Sequence, residues 1–304
     1  MSGWDPTTLP SQAGRTIVVT GAGRGVGYFT AEQLAVAGAR VIITTRGDAT
    51  RALESLRRAA PGADVSAVTL DVASLDSIRA AAPELAALGP IDVLINNAGK
   101  TSGSKRRQVT VDGLEIMVGT NALGPFALTA QLWPALADDA RIISLGSMAT
   151  RLAKADLTDL QGERSYSTSR AYALSKHLMH AFAFELDRRL RATGSHRMSL
   201  LAHPGFALDG SASRRPGVTD LASPAQRFGE RLLRPMAHGK DRGAWPVVRA
   251  ATDPDATGGE FYGPRRNVTG RPVLTTPVAQ SADAAFGAEF WRLAEQATGV
   301  AFTV

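Results

Sequence analysis

Apolar residues along this chain follow two alternating rhythms: short, nearly continuous runs, and longer stretches in which they recur every three or four positions. Residues 15–20 are a β-branched run between Gly14 and Gly21, too short for a helix and typical of a strand buried on both faces. Residues 28–37 repeat at helical spacing and stop at Gly38, where a C-terminal glycine ends a helix. The exchange continues with strands at residues 40–45, 63–70, 91–95, 141–146 and 198–203, and a last one at 260–263. Between them fall helices from Asp48, read as an N-cap, through Leu56, and from 75 to 88 behind the cap Ser74. A long helix runs toward Leu190, a shorter one covers 242–251, and a terminal helix spans 284–298. Strand and helix in strict alternation predict an α/β fold: a doubly wound parallel sheet of about seven strands with helices on both faces.

Nothing repeats internally and no linker divides the chain. Residues 1–14, with Pro6 and Pro10 and little periodicity, read as an N-terminal arm, and 15–304 as a single domain. Within it, residues 209–240 form the expected substrate loop. Residues 225–236 have Phe228, Leu232 and Leu233 on one helical face. That face either acts as a lid, lining an apolar pocket with Phe206 and Leu208, or packs on the sheet.

Composition narrows the chemistry. With 304 residues, 44% of them hydrophobic, the chain can bury a full core. It has no cysteine, which excludes disulfides, thiolate metal sites and cysteine nucleophiles, and no metal is expected. A net charge of +6 invites a polyanion partner, but the densest basic runs, Lys105-Arg106-Arg107 and Arg214-Arg215, are short. Solvated faces account for them better, and no nucleic acid is expected. No run of 18 apolar residues and no leader pattern occurs, so the expectation is a cytoplasmic protein without a membrane span.

The first strand meets Gly21-Ala22-Gly23-Arg24-Gly25-Val26-Gly27 and then a helix. Strand, glycine turn and helix in that order make a phosphate-binding unit, since glycines admit the pyrophosphate and the helix start offers free N–H groups. The literal G-x-G-x-x-G spacing fails at Val26. Arg46 ends the second strand, where a basic side chain accommodates the 2′-phosphate of NADP and an acidic one takes the ribose of NAD. Arg24 can meet the same phosphate from the glycine turn, so NADP is favoured. Asp71 either bonds the adenine amino group or terminates its strand, and the two readings weigh equally. At Asn96-Asn97-Ala98-Gly99, small and amide residues let a cofactor lie on the sheet edge and brace the neighbouring strand. Tyr172 and Lys176 stand four apart, on one helical face.

Thr20-Gly21-x-x-x-Gly25-x-Gly27, Asn96-Asn97-Ala98-Gly99 and Tyr172-x-x-x-Lys176, in this order, resemble the short-chain dehydrogenase/reductase family from about Arg15 to Gly205. Residues 110–115 and Thr120-Asn121-Ala122-Leu123-Gly124-Pro125-Phe126 are most similar to its retinol dehydrogenase-like, lipophilic-carbonyl reductase branch. The resemblance implies a Rossmann fold, an NADP(H) cofactor and a carbonyl or alcohol substrate; it is compatible with a homo-oligomer and leaves the oligomeric state open. The cofactor would lie against Gly21, Arg24, Gly25, Val26, Gly27, Arg46, Asp71, Val72, Asn97, Ala98, Gly99, Tyr172, Lys176 and the Pro204-Gly205 turn. Where many members place Thr or Ser five residues after that proline, this chain has Asp209; either the loop takes another path or Ser211 substitutes.

Carbonyl reduction puts negative charge on the substrate oxygen as hydride reaches carbon, so the site must donate a proton and stabilise an oxyanion. Tyr172 is the expected acid, Lys176 the cation that lowers its pKa and holds the ribose, and Ser147 the donor to the substrate oxygen. Ser147 is preferred over Ser144 because it lies at the strand exit, where ligands bind in open α/β sheets. By resemblance, Asn121 holds a water linking Lys176 to solvent. The insertion at 150–168, with Asp156, Asp159, Glu163 and Arg164, is read as a structural excursion, and His177 and His203 as structural. An epimerase or dehydratase on the same scaffold is the alternative within enzymes. A non-catalytic NADP(H)-binding regulator is the alternative outside them.

Overall fold

The computed structural model describes residues 4–219, 223, 228–230, 233 and 236–304. Six strands come first: β1 (Thr16–Val19), β2 (Arg40–Thr45), β3 (Val65–Thr69), β4 (Ile91–Asn96), β5 (Leu136–Leu145) and β6 (Met198–Ala202). Then follow a short pair, β7 (Ala207–Leu208) and β8 (His238–Gly239), and β9 (Phe261–Pro264) and β10 (Pro272–Leu274). The helices are α1 (Gly25–Val36), α2 (Thr50–Ala59), α3 (Leu75–Ala86), α4 (Ile116–Val118), α5 (Gly124–Leu132), α6 (Thr168–Thr193), α7 (Lys240–Gly243), α8 (Trp245–Thr252), α9 (Ala279–Ala282) and α10 (Ala284–Thr298).

The main sheet runs β10-β9-β6-β5-β4-β1-β2-β3, and β7 pairs with β8 alone. Every main-sheet pairing is parallel except β10 on β9. This is the doubly wound Rossmann arrangement. Among the described residues the sheet has eight strands where about seven were expected; the extra one is the three-residue antiparallel edge β10, too short to leave a periodicity. Because the strands are parallel, the ends of β1, β2, β3, β4, β5 and β6 emerge at one edge. The order reverses between β4 and β1, the crevice where such sheets take ligands.

Alternate residues of the strands enter opposite cores. Val18, Ile42, Leu94 and Ile142 pack under α3, α5, α6 and α10. Ile17, Val41, Val93 and Ile143 pack under α1, α2 and α8. With both faces covered, the strands lose the polar alternation of a half-exposed sheet. The first layer holds an aromatic cluster in which Trp291 of α10 meets Phe126 edge-on at 5.1 Å and stacks on Phe302 at 4.8 Å. That cluster, with Phe182 stacked on Trp291 at 6.0 Å, fixes α6 against the sheet.

Several boundaries move for local physical reasons. Helix α1 starts at Gly25 instead of 28, since the last glycines of the turn are its first residues. Strand β5 starts at Leu136, ahead of the expected 141, with an irregular register against Ile91 and Val93 that polar residues 138–139 conceal in the sequence. Asp48 is not the N-cap of α2. That position is Ala49, and Asp48 Oδ1 accepts the Thr50 N–H at 2.9 Å from one residue earlier. Ser74 caps α3 as expected, accepting from Ser77 N–H. The single helix expected at 242–251 is two pieces, α7 and α8. Of the expected lid helix at 225–236, Ala225 and most of its companions lie outside the described residues. The arm touches the domain through Trp4, whose indole N–H donates to Thr252 at 2.9 Å.

Candidate active site

The glycine turn leaves β1 and enters α1 without a side-chain cap: Arg24 occupies the N-cap position, and its guanidinium has no acceptor to offer the first N–H groups. The first N–H groups of the helix have no intrahelical partner either. Gly21 has φ +64° and Gly25 φ +68°, and a methyl on Gly21 would lie 2.8 Å from Ala98 Cα. This bare, closely packed turn fits a dinucleotide diphosphate, which needs backbone approach and free N–H groups. Asn97 braces it from β4, donating to the Thr20 carbonyl at 2.7 Å, while the Thr20 hydroxyl accepts the N–H groups of Asn97 and Ala98 at 3.0 and 2.9 Å. Gly99 lies under Asn121, where a methyl would meet Oδ1 at 3.1 Å.

A methyl on Gly23 would lie 3.0 Å from Thr45 Cγ2, so the turn abuts the end of β2. Arg24 and Arg46, the next residue along each segment, therefore share one corner. Both are exposed, and neither makes an ion pair among the described residues. Asp71 Oδ1 accepts the Ala73 N–H at 3.0 Å at the end of β3. The Val72 carbonyl closes on Gly124, where any Cβ would collide at 1.9 Å.

Ser147 lies two residues beyond β5. Its Oγ accepts the Ala149 N–H at 3.1 Å and the Tyr172 phenol at 3.3 Å. A hydroxyl has two acceptor sites and one proton; both acceptors are engaged, so its own O–H is left to donate. Ser144, the rejected rival, is fully buried and its hydroxyl has no partner among the described residues. Helix α6 carries Tyr172 and Lys176, and Ser167 caps its start by accepting the Arg170 N–H.

Lys176 is 5% exposed, and its Nζ donates to the Leu145 carbonyl at 2.7 Å. Burial pulls its pKa down to about 8. Nζ stands 6.0 Å from the Tyr172 ring centroid, and burial pushes the phenol pKa up, opposed by the Ser147 hydrogen bond. Asn121 sits in the π turn Gly119–Leu123, a widened coil common at functional sites. Its side chain exchanges hydrogen bonds with the Lys100 backbone at 2.7 and 2.9 Å and donates to Ser175 at 2.9 Å. The amide thus ties the segment after β4 to α6, with Ser175 bonded in turn to the Tyr172 carbonyl.

Sequence reasoning missed His180. Fully buried one turn beyond Lys176, its Nε2 accepts the Ser147 N–H at 3.2 Å, so the proton sits on Nδ1, which has no partner among the described residues. Burial, with neighbouring His177, Lys176 and His203, holds its pKa well below the ordinary value. Burial also lowers His203 to about 4. Only contact in space reveals this, because a lone histidine on an apolar helix face has no sequence signature. A consequence follows for stability. Each of these two imidazoles stays neutral in the fold and charges freely in the unfolded chain, so stability is full above pH ~6.5 and falls as pH drops below it. For His203 the loss is roughly 1.5 kcal/mol between pH 6.5 and 5, and His180 adds to it in the same direction. Thermal melts at pH 7, 6 and 5 should show a steady fall in Tm, smaller in His180→Leu; a flat profile would contradict it.

The excursion at 150–168 is held by its own hydrogen bonds. Asp156 and Asp159 accept local N–H groups of Thr158 and Glu163, and Gln161 accepts the Glu115 N–H at 2.6 Å. His177 fastens it through the Ala153 carbonyl at 2.8 Å. One residue of each basic run is engaged: Arg107 bonds the Gln161 carbonyl at 2.7 Å, and Arg215 forks onto Glu32 at 2.5 and 2.8 Å. Pro204 and Gly205 follow β6 at the same edge, the Pro204 carbonyl 2.7 Å from His238 Nε2.

A Rossmann sheet with a bare glycine turn at its switch point and a Ser-Tyr-Lys group beside it defines a nicotinamide-dependent oxidoreductase class. Residues 15–199 match the family described as short chain dehydrogenase. The chain belongs to that family, whose members act on alcohols and carbonyls. It is 38% identical over 263 residues to polyprenol dehydrogenase of Mus musculus, covering 83% of this chain and 76% of that one. It is 37% identical over 207 residues to retinol dehydrogenase 12 of Mus musculus, covering 66% and 64%. An uncharacterized protein from Mycobacterium paratuberculosis, solved by crystallography, superposes with a TM-score of 0.80 at 36% identity over 100% of both chains. Among the described residues, no helix is long and apolar enough to cross a membrane.

Proposed function

We propose that this protein is an NADP(H)-dependent oxidoreductase that interconverts a hydrophobic carbonyl compound and its alcohol. The observation that carries the reading is the Tyr172 hydroxyl bonded to Ser147 Oγ at 3.3 Å, beside the bare glycine turn and the buried Lys176. The bound dinucleotide supplies or accepts the hydride. In reduction, Tyr172, kept protonated by its burial, donates its proton to the substrate oxygen as charge develops there, and the Ser147 O–H donates a second hydrogen bond. Lys176 offers a cation to the cofactor ribose. Asn121 and His180 are positioning residues: the first sets α6 against the segment after β4, the second holds the Ser147 backbone from beneath.

Gly21, Gly25, Val26 and Gly27, then Asn97, Ala98 and Gly99, would hold the cofactor, with Pro204-Gly205 toward its nicotinamide and Asp71 and Val72 toward its adenine. Arg24 and Arg46, sharing one exposed corner without an anionic partner among the described residues, support NADP over NAD. A hydrophobic substrate agrees with the polyprenol and retinol relatives. The test is a screen of lipophilic carbonyls and alcohols with NADPH, NADH and their oxidised forms. NADPH should bind at least tenfold tighter than NADH. Arg46→Ala combined with Arg24→Ala should remove that preference by weakening NADPH while sparing NADH; a wild-type preference for NADH would overturn the cofactor reading. Turnover without net NADPH consumption would favour an epimerase or dehydratase.

A further inference from the structure

Resting on the dinucleotide reading above, we propose that Lys240 is a binding residue for the cofactor diphosphate and that Asp209 is the anion that competes for it. Lys240 opens α7, far along the chain from the glycine turn, yet its side chain lies across the start of α1. A methyl on Gly25 would sit 3.5 Å from Lys240 Nζ and 3.6 Å from its Cδ. The ammonium is thus poised over the uncapped helix start that fits the diphosphate. Its partner is Asp209, with Oδ2 2.6 Å from Nζ, and the pair is partly exposed, at 26% for the lysine side chain and 45% for the aspartate.

This arrangement accounts for a carboxylate standing near a phosphate site, which by itself is unfavourable. The pair is neutral as it stands. An ammonium has three donors, so Lys240 can turn to a diphosphate oxygen and still hold Asp209, giving the anion a point charge that adds to the helix dipole. The loop containing Asp209 is joined to the Lys240 segment through β7 and β8, where Ala207 and Leu208 pair with His238 and Gly239. The two charges are therefore held together by backbone pairing as well as by attraction. Because the diphosphate is common to both dinucleotides, Lys240 raises affinity without choosing between them, unlike Arg24 and Arg46.

The experiment is equilibrium titration of the purified full chain with NADPH, NADH and ADP-ribose, followed by fluorescence or calorimetry at low and high salt. Lys240→Met should weaken all three by a similar factor, about tenfold at low salt, and flatten the salt dependence; Lys240→Arg should retain most of the affinity. Asp209→Asn should tighten binding a few-fold, because the competing anion is gone. If the pair only props the loop, both variants break it alike, and Lys240→Met and Asp209→Asn shifting affinity in the same direction overturns the proposal. So does a Lys240→Met protein that binds as the wild type does. Wild-type protein that binds none of the three ligands would overturn the dinucleotide reading itself, and this assignment with it.

Discussion

Tyr172→Phe should abolish turnover, lowering kcat by roughly three orders of magnitude, while leaving NADPH binding unchanged. The substitution removes one oxygen and keeps the ring, so the packing of α6 against the sheet survives. What disappears is the proton that must reach the substrate oxygen, a contribution of about 10²–10⁴ for a positioned general acid. Ser147 loses the phenol as a donor but keeps the Ala149 N–H, so it remains in place to bind substrate. Circular dichroism and Tm should match the wild type, and titration with NADPH should give the same Kd. A Phe variant that turns over at even a tenth of the wild-type rate would remove Tyr172 from the mechanism.

Lys176→Met should separate stability from activity. A buried ammonium with a single acceptor among the described residues, the Leu145 carbonyl, is a costly element of the fold. The lowering of its pKa from 10.5 to about 8 corresponds to roughly 3 kcal/mol against the charged form. Replacement by a methionine of similar length removes that cost and forfeits one hydrogen bond worth about 1 kcal/mol, leaving a net gain of about 2 kcal/mol. The expected result is a higher Tm together with at least a hundredfold fall in kcat/KM and weaker dinucleotide binding. The sign of the pH dependence supplies a check. The unfolded chain binds this proton up to pH ~10.5 and the fold releases it near 8, so wild-type stability rises across that window as the cost disappears. The advantage of Lys176→Met should therefore shrink between pH 8 and 10. A variant that is both less stable and fully active would contradict the role given to Lys176.

The parts of the site that were legible in advance share a property: each rests on a few consecutive residues or on one helical turn. Gly21 to Gly27 reads as a phosphate turn because a strand precedes it and a helix follows. Tyr172 and Lys176 read as one face because four residues make one turn. Ser147 was separable from Ser144 because the apolar run of β5 stops before it. The parts that were not legible join residues far apart in the chain. Asn121 reaches Ser175 across 54 positions, Ser147 reaches His180 across 33, and Asp209 meets Lys240 across 31. No periodicity encodes such pairs, and a polar residue alone on an apolar face looks the same whether it is satisfied, orphaned or catalytic.

The order of strands and helices, the glycine turn, the asparagine brace and the tyrosine–lysine face were determined by the sequence itself, because short-range sterics and hydrophobic spacing suffice for them. The tertiary structure alone decided which partner each charge and amide takes. It gave Lys176 the Leu145 carbonyl and Asn121 Lys100 and Ser175, placed His180 beneath Ser147 and set Lys240 over Gly25. The reason is that burial makes an unpaired polar group expensive, so each selects the nearest partner in space, and the sequence does not state what lies nearest.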